Sequence, residues 1–410
     1  MNPPHYVSRQ AELDRLCHQW RQAGVIAFDT EFIRDETYDA DLCLLQVNVA
    51  GQIVLVDPLA GLDLGPFWQL VTDPDVLTIV HAGKEDFEVC LRQTGRTPRN
   101  VFDVQIAAGF VGLGYPLSLS RLVLAALGRR IAKAQTLTDW ARRPLTDEQT
   151  RYAAEDVAHL LDLHSHLARE LKRFGRREWA AQEFRSLEDP LLYRKPVQQR
   201  LFKLKGAKKL DGPGLAALER LIAWRDEWAQ SRNRPIRTMI RDDVLVAIAK
   251  RRPSKARDLE IMRGFPHTRR SRITQQVLAI LDEVRRLPPS QLPRPYEAHE
   301  RSPMLKAVVS ILSGYVRAVC HEEKLAHELV GSTQRIEELV DFLLGHRSEK
   351  PALLVGWRRR FIGRRLVALL EGKSELHLSG WPDDIRLEVV QHTDRRPAPR
   401  RTARGAGTPG

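Results

Sequence analysis

The segment Gly24-Val-Ile-Ala-Phe-Asp-Thr-Glu-Phe32 constrains the fold more than any other part of this chain. Gly24 to Phe28 is an apolar run with the signature of a buried β-strand. Side chains two apart on a strand face the same way. Asp29 and Glu31 therefore leave the end of that strand side by side. Two such anions repel, and one must hold a proton unless a cation lies between them. Mg²⁺ and Mn²⁺, which prefer oxygen ligands, remove the conflict. A solvated Asp-Thr-Glu turn after a strand is the bland alternative.

Two later segments bring more carboxylates. In Leu77-Thr-Ile-Val-His-Ala-Gly-Lys-Glu-Asp-Phe87, a short apolar strand breaks at His81-Ala-Gly83, and a helix runs from Lys84 to about Thr94. Asp86 falls in its first turn, where the helix dipole alone favours an acid. Further on, Thr146 and Gln149 fit a capping box at the start of a helix. On that helix Ala153, Val157, Leu160, Leu161 and Leu163 recur at helical spacing. Tyr152 and Asp156, four apart, share one helix face. Taken separately, these are a helix-start charge and a tyrosine bonded to a neighbouring aspartate. Their order and type, Asp-x-Glu on a strand, Asp at a helix start, then Tyr-x₃-Asp, point to one site.

Asp29-Thr-Glu-Phe32, His81-Ala-Gly-Lys-Glu-Asp86 and Tyr152-Ala-Ala-Glu-Asp156 resemble the three motifs of the DEDD exonuclease superfamily, in its tyrosine-bearing branch. The intervening Phe102-Asp-Val-Gln-Ile-Ala-Ala108, Leu113-Gly-Tyr-Pro-Leu-Ser-Leu119 and Thr138-Asp-Trp-Ala-Arg-Arg-Pro-Leu145 are similar to the bacterial ribonuclease D family. The resemblance implies that Asp29, Glu31, Asp86 and Asp156 bind two divalent metal ions, Mg²⁺ or Mn²⁺, and that Tyr152 positions the attacking water. It implies that Asp29 bridges both ions, that Glu31 and Asp156 complete the ion that activates water, and that Asp86 serves the second. Two ions about 3.5–4 Å apart can clamp the attacking and leaving oxygens of a phosphodiester displacement. Beside these ligands, Phe32 either stacks near a terminal base or packs in the core. His81 either touches phosphate or caps the following helix. Gln46, a lone polar residue in the strand Cys43–Val49, either contacts substrate or satisfies backbone.

The charge is unevenly spread. Residues 1–165 carry 15 Lys+Arg against 22 Asp+Glu, net −7, and the remainder carries 50 against 30, net +20. A basic surface of that size suits a polyanion, with affinity that falls steeply as salt rises. No stretch of 18 apolar residues is present, and Met1-Asn-Pro-Pro-His-Tyr6 lacks the features of a signal peptide. Cys17, Cys43, Cys90 and Cys320 are too scattered for a zinc site or a disulfide framework. A cytoplasmic protein with neither membrane association nor small-molecule cofactor is expected, acting as a monomer.

The expected fold is an α/β domain of the ribonuclease H-like exonuclease type over residues 1–185, a mixed sheet flanked by helices. Strands are expected at about 24–31, 42–49, 52–57, 77–80 and 99–102, with a hairpin turn at Ala50-Gly51 and a mobile acidic loop from Arg34 to Asp41. A linker (186–210, with a helix near 196–203) leads to an all-helical segment, 211–287. Its Asn233–Ala249, Pro253–Leu259 and Ile261–Phe265 stretches resemble the helicase-and-ribonuclease-D C-terminal (HRDC) domain. There Arg237, Arg241, Lys250, Arg251 and Arg252 are candidate phosphate contacts. A Pro-rich linker (288–301) precedes a second, divergent all-helical HRDC-like domain (302–390), with Leu325, Leu329, Ile336, Leu339 and Leu343 at core spacing. Its Gly356-Trp-Arg-Arg-Arg-Phe-Ile-Gly-Arg-Arg365 run is a candidate RNA grip or an ordinary final helix. A disordered basic tail (391–410) closes the chain.

The function that follows from the resemblance is a metal-dependent 3′→5′ exoribonuclease. It would release nucleoside 5′-monophosphates from RNA with an accessible 3′ end, with transfer-RNA precursors the implied substrate. A 3′→5′ DNA exonuclease and a non-catalytic RNA-binding protein on an old nuclease fold are the alternatives.

Overall fold

A computed structural model describes residues 4–33, 37–38, 41–131, 138–193, 196–266, 272–295 and 302–391. The expected mobile loop from Arg34 to Asp41 lies largely outside the described residues, as does the expected disordered tail beyond Gln391. The chain forms two compact units, Met1–Glu300 and Arg301–Gly410.

The first unit is built on a six-stranded mixed sheet of order β1-β4-β3-β2-β5-β6. Its strands are β1 (His5–Val7), β2 (Val25–Ile33), β3 (Asp41–Val49), β4 (Gln52–Val56), β5 (Leu77–Val80) and β6 (Val101–Asp103). β2, β3 and β4 form an antiparallel meander. β5 runs parallel to β2, β6 to β5 and, at the far edge, β1 to β4. Ala50 and Gly51 both take positive φ (51° and 84°), as a tight two-residue hairpin requires. The N-terminal helix, α1 (Gln10–Ala23), ends at Gly24 with φ 67°, a left-handed terminus that glycine adopts without steric cost.

Strand alternation decides what each face of the sheet carries. Phe28, Leu45, Val47, Val54 and Val56 join one core with Leu13, Leu16 and Trp20 of α1, Phe67 and Trp68 of α2 (Gly65–Val71) and Phe87 of α3 (Lys84–Thr94). Phe28 meets Phe67 edge-to-face at 5.3 Å. The other face carries Leu44 and Leu55, packed with Cys43, Trp140 and Ala153. Between β6 and Ala153 lie α4 (Val104–Phe110), α5 (Leu119–Leu127) and then α6 (Asp147–Ala158), which bears Tyr152, Ala153 and Asp156. The Thr146–Gln149 capping box is formed. The helix breaks at His159, and α7 (Leu160–Arg173) and α8 (Arg177–Ser186) complete the layer.

One irregularity marks the sheet. The ladder pairs Glu31 with Leu44 and Phe32 with Leu42, so Cys43 is an extra residue on β3. A bulge of this kind leaves one residue out of the ladder and re-aims its neighbours. Cys43 and Leu44 consequently share one hydrophobic cluster although adjacent in sequence. The Cys43 carbonyl accepts from Arg143 Nη2 at 2.6 Å.

Past α9 (Val197–Leu201), the rest of the first unit is helical: α10 (Gly212–Ser231), α11 (Asp242–Arg251), α12 (Ala256–Glu260) and α13 (Arg272–Arg285). Asp211 caps α10 by accepting from the Gly214 amide at 2.9 Å. Leu215, Leu218, Leu221 and Ile222 of α10 pack on Leu245 and Ile248 of α11, Phe265, and Val277 and Leu281 of α13. Tyr38, in the connection after β2, donates its amide to Asn233 Oδ1 just beyond α10 at 3.2 Å.

The second unit departs from the all-helical expectation. It has α14 (Pro303–Glu322), α15 (His327–Val330), α16 (Thr333–Leu343), α17 (Gly356–Arg358) and α18 (Arg364–Leu370), followed by an antiparallel hairpin of β7 (Ser374–Ser379) and β8 (Arg386–Gln391). Ser-Glu-Leu-His-Leu-Ser and Arg-Leu-Glu-Val-Val-Gln alternate in polarity, a strand pattern. Leu325, Leu329, Ile336 and Leu339 are buried, but Leu343, at the end of α16, is exposed. Trp357 and Phe361 are core residues joined through a π-helical turn, Arg359–Gly363. The basic run is thus a packed helix whose aromatics are unavailable for stacking on bases. Among the described residues one helix, α14, is long and apolar enough to span a membrane by length and composition alone, although Lys306 and Arg317 interrupt it and it holds no run of 18 apolar residues. Its Val309, Leu312, Tyr315, Val316 and Val319 are buried within this unit, as in a core helix.

Candidate active site

Asp29 and Glu31 point from β2 toward α6, and α6 returns Asp156 to meet them. Carboxylate oxygens of these three residues lie within 4.8 Å of one another. Asp29, Tyr152 and Asp156 line a cleft of about 220 Å³ together with His81, Ser118, Leu119, Ser120, Ile131 and Leu160. Asp86 is not part of the triple cluster. It is buried at the start of α3, and one of its oxygens accepts from the Thr30 hydroxyl. Thr30 lies between Asp29 and Glu31 but faces the other side of the sheet, so the Asp-Thr-Glu tripeptide reaches carboxylates on both sides.

The electrostatics are those of anions crowded without a counter-charge. Burial, then repulsion from Asp86, Asp156 and Glu31, hold Asp29 well above the ordinary carboxylate range. Burial, followed by repulsion from Asp156 and Asp86, pushes Glu31 up to about 8. Asp156 is raised to about 7 and Asp86 to about 6, both chiefly by burial and both opposed by a hydrogen bond, from Tyr152 and Thr30 respectively. Burial and the neighbouring carboxylates raise the Tyr152 phenol, which stays protonated. A set of hard oxygen donors whose ionisation is held back by mutual repulsion fits Mg²⁺ or Mn²⁺.

Local structure explains why the ligands stand where they do. Tyr152 packs against Trp140, ring centroids 6.0 Å apart. The preceding loop is fixed by Arg143, whose Nε and Nη2 grip Asp57 at 2.8 and 2.6 Å while Nη1 donates to the Trp140 carbonyl at 2.8 Å. Asp57 also accepts from the Tyr6 hydroxyl at 2.5 Å. Near Asp86, the turn before α3 is held by Asp103, which accepts from the amides of Ala82, Gly83, Gln105 and Ile106 at 2.8–3.2 Å. Gly83 is required there, since a Cβ would sit 2.6 Å from Val80 Cγ2. Thr30, Asp103, Arg143, Ser118 and Ser120 were missed at the level of sequence. Thr30, Asp103, Ser118 and Arg143 lie inside motifs quoted for the family resemblance, and that was the available signal; Ser120 lies just beyond one of them.

The remaining sequence candidates divide. His81 lines the cleft, and its Nε2 donates to the Leu117 carbonyl at 2.9 Å. It does not cap α3, whose N-cap is Gly83 without a side-chain bond. Burial keeps its imidazole below the usual value. Phe32 is half-buried, one residue past Glu31. Gln46 is fully buried and has no hydrogen-bond partner among the described residues, so within them it does not satisfy backbone. In the helical segment, Arg237, Arg241, Lys250 and Arg251 are exposed. Arg241 pairs with Asp243 at 2.6 Å, and Arg252 is half-buried against Asp211.

Comparison with known proteins bears on the whole chain. The family described as "3'-5' exonuclease" matches residues 4–172, the HRDC domain family 214–281, and "Ribonuclease D, C-terminal HRDC domain" 303–366. Ribonuclease D of Gluconacetobacter diazotrophicus is 33% identical over 382 residues, covering 92% of this chain and 95% of its own. The chain belongs to the ribonuclease D family. Ribonuclease D of Shewanella sp. is 32% identical over 365 residues, covering 89% and 93%. The crystal structure of Escherichia coli RNase D, described as an exoribonuclease involved in structured RNA processing, superimposes with a TM-score of 0.80 at 28% identity, covering 91% of this chain and 99% of that one. The activity of this chain is accordingly that of a hydrolytic, metal-dependent 3′→5′ exoribonuclease, and family membership selects it over the DNA exonuclease and the non-catalytic tether.

Proposed function

We propose that the chain trims structured RNA from the 3′ end, transfer-RNA precursors in particular, with Asp29, Glu31, Asp86 and Asp156 holding two Mg²⁺ or Mn²⁺ ions and Tyr152 orienting the attacking water. The observation that carries this reading is the convergence of Asp29, Glu31 and Asp156 oxygens within 4.8 Å, beside a cleft lined by Asp29, Asp156 and Tyr152. Bound there, such ions would supply Lewis acidity, lowering the pKa of water and balancing charge on the leaving 3′ oxygen. Asp29, which repulsion couples to Asp86, Asp156 and Glu31, would be the shared ligand, with Glu31 and Asp156 holding one ion and Asp86, set back against Thr30, holding the other. Tyr152 keeps its proton and acts as a hydrogen-bonding guide rather than a base. Domain boundaries at 185, 210, 287 and 301 separate the catalytic part from two HRDC-type parts, whose basic residues (among them Arg237, Arg241, Lys250 and Arg251) hold the RNA backbone. Phe32 and His81 flank the terminal nucleotide.

The test is a 5′-labelled RNA with a 3′ overhang, with its all-DNA counterpart alongside, incubated with Mg²⁺ or Mn²⁺ and with an EDTA control. A ladder shortening from the 3′ end on RNA, lost in EDTA, is expected. Equal ladders on DNA remove the RNA preference, and no cleavage with either metal refutes the site.

A further inference from the structure

The Gln46 side chain is completely buried, yet neither its Oε1 nor its Nε2 has a hydrogen-bond partner among the described residues. An amide in that position is expensive, because it has given up water and gained nothing. The neighbouring positions show what the fold does with polar groups on this face. Asn48, two residues along the same strand, donates its Nδ2 to the Val157 carbonyl of α6 at 2.9 Å. Gln46 has the same surroundings of strand and helix but no such bond. Its immediate neighbours on this face are an apolar side chain on one side and a carboxyl group on the other. Leu55 stands opposite it on β4, and Asp29 stands opposite it on β2. Side chains directly opposed on an antiparallel pair lie on the same face, with Cβ atoms about 4.5–5.5 Å apart. Packing alone would favour an apolar residue under α6.

Resting on the metal-site reading above, we infer that Gln46 is a positioning residue for Asp29: with the cations bound, its Nε2 would donate to the Asp29 oxygen left free by the metal and fix that carboxylate as a ligand. A liganding carboxylate is commonly held by a donor behind it, and Gln46, opposite Asp29 on the same face, is the buried amide with no other partner among the described residues. The amide therefore burdens the metal-free fold, and a carboxylate turned onto a cation would bring its second oxygen to it. Gln46 itself touches neither substrate nor the reacting atoms.

The experiment compares wild type, Gln46→Leu, Gln46→Met and Asp29→Asn as full-length proteins. Two quantities are read without RNA: melting temperature in EDTA, and Mn²⁺ affinity by isothermal titration. Gln46→Leu and Gln46→Met should melt at or above the wild-type temperature in EDTA, yet bind Mn²⁺ about 10–100-fold more weakly, the usual effect of losing a group that orients a ligand. A merely structural glutamine predicts the reverse pattern, lower melting in EDTA with unchanged metal affinity, and that result overturns the inference. Failure of both variants to fold overturns it too, since the amide would then be needed without metal. Asp29→Asn separates the two levels. If it leaves Mn²⁺ affinity untouched, the metal-site reading fails. If it abolishes binding while Gln46→Leu binds like wild type, only the role of Gln46 fails.

Discussion

Arg143→Ala is the perturbation that most directly tests how the site is held together. Arg143 makes a two-pronged contact with Asp57 and also serves the carbonyls of Cys43 and Trp140. Asp57 is only 5% exposed, and burial alone would raise its pKa. The bonds from Arg143 and Tyr6 outweigh burial and hold it below the ordinary value. Removing one partner of a buried pair costs about 3–5 kcal/mol, because the other is left charged and unpaired. Two features place this case at the low end. The Arg143 side chain is 23% exposed, so water partly screens it. Asp57 also keeps donors from Tyr6 and the Leu59 amide. We expect a loss of about 3 kcal/mol, or about 6–12 °C in melting temperature for a unit of this size, read by thermal and urea unfolding. Arg143→Lys, which keeps the charge but not the fork, should fall between. Adding Asp57→Asn to Arg143→Ala should recover part of the loss, because the stranded anion is gone. Exoribonuclease turnover should fall as well, since the loop that Arg143 pins leads into α6 with Tyr152 and Asp156. Arg143→Ala within 1 kcal/mol of wild type, or a double variant no more stable than the single, would refute the reasoning.

Four further outcomes are expected. Asp29→Asn should abolish hydrolysis while circular dichroism and RNA binding stay near wild type; turnover within tenfold of wild type contradicts the shared-ligand assignment. In EDTA the protein should melt at progressively lower temperature from pH 5 to pH 8.5. Glu31, Asp156 and Asp86 have folded-state values of about 8, 7 and 6, above their unfolded values. Their contribution is complete below the unfolded pKa and is lost as pH rises through the folded ones; Mg²⁺ should flatten the decline, and a flat profile in EDTA would sink the account. Gly83→Ala should lower turnover by displacing the turn against Val80, checked by steady-state kinetics; unchanged kinetics would show that the turn absorbs a Cβ. Lys250→Glu with Arg251→Glu should weaken RNA binding at moderate salt and make the salt slope shallower by about one per lost phosphate contact, whereas an unchanged slope would remove this surface from the RNA path.

The parts legible in the sequence were those written in local periodicity. The β2 carboxylate pair, the Ala50-Gly51 hairpin, the α3 start and the Thr146 capping box are each set within a few residues, and each has the expected form. What escaped depends on residues far apart. Arg143 and Asp57 are 86 positions apart, Thr30 and Asp86 56. The β7–β8 hairpin did carry an alternating pattern, overlooked because the segment before it is helical. Trp357 and Phe361 were ambiguous because a basic run with aromatics has the same composition whether the rings face RNA or a core. Burial decides, and burial is a property of the partners.

The extra residue on β3 has an evolutionary consequence. From Leu44 onward β3 is locked in register: slipping by one position would exchange Gln46 for Leu45 or Val47 opposite Asp29, inverting both faces at once. The two paired residues that precede the extra one, Asp41 and Leu42, lie outside that lock. Gains and losses of single residues should therefore accumulate among relatives on the β2–β3 connection and stop abruptly at Cys43. The Cys43 carbonyl, freed by the irregularity and taken by Arg143, makes that point a fixed origin from which the strand and the approach to α6 are both measured.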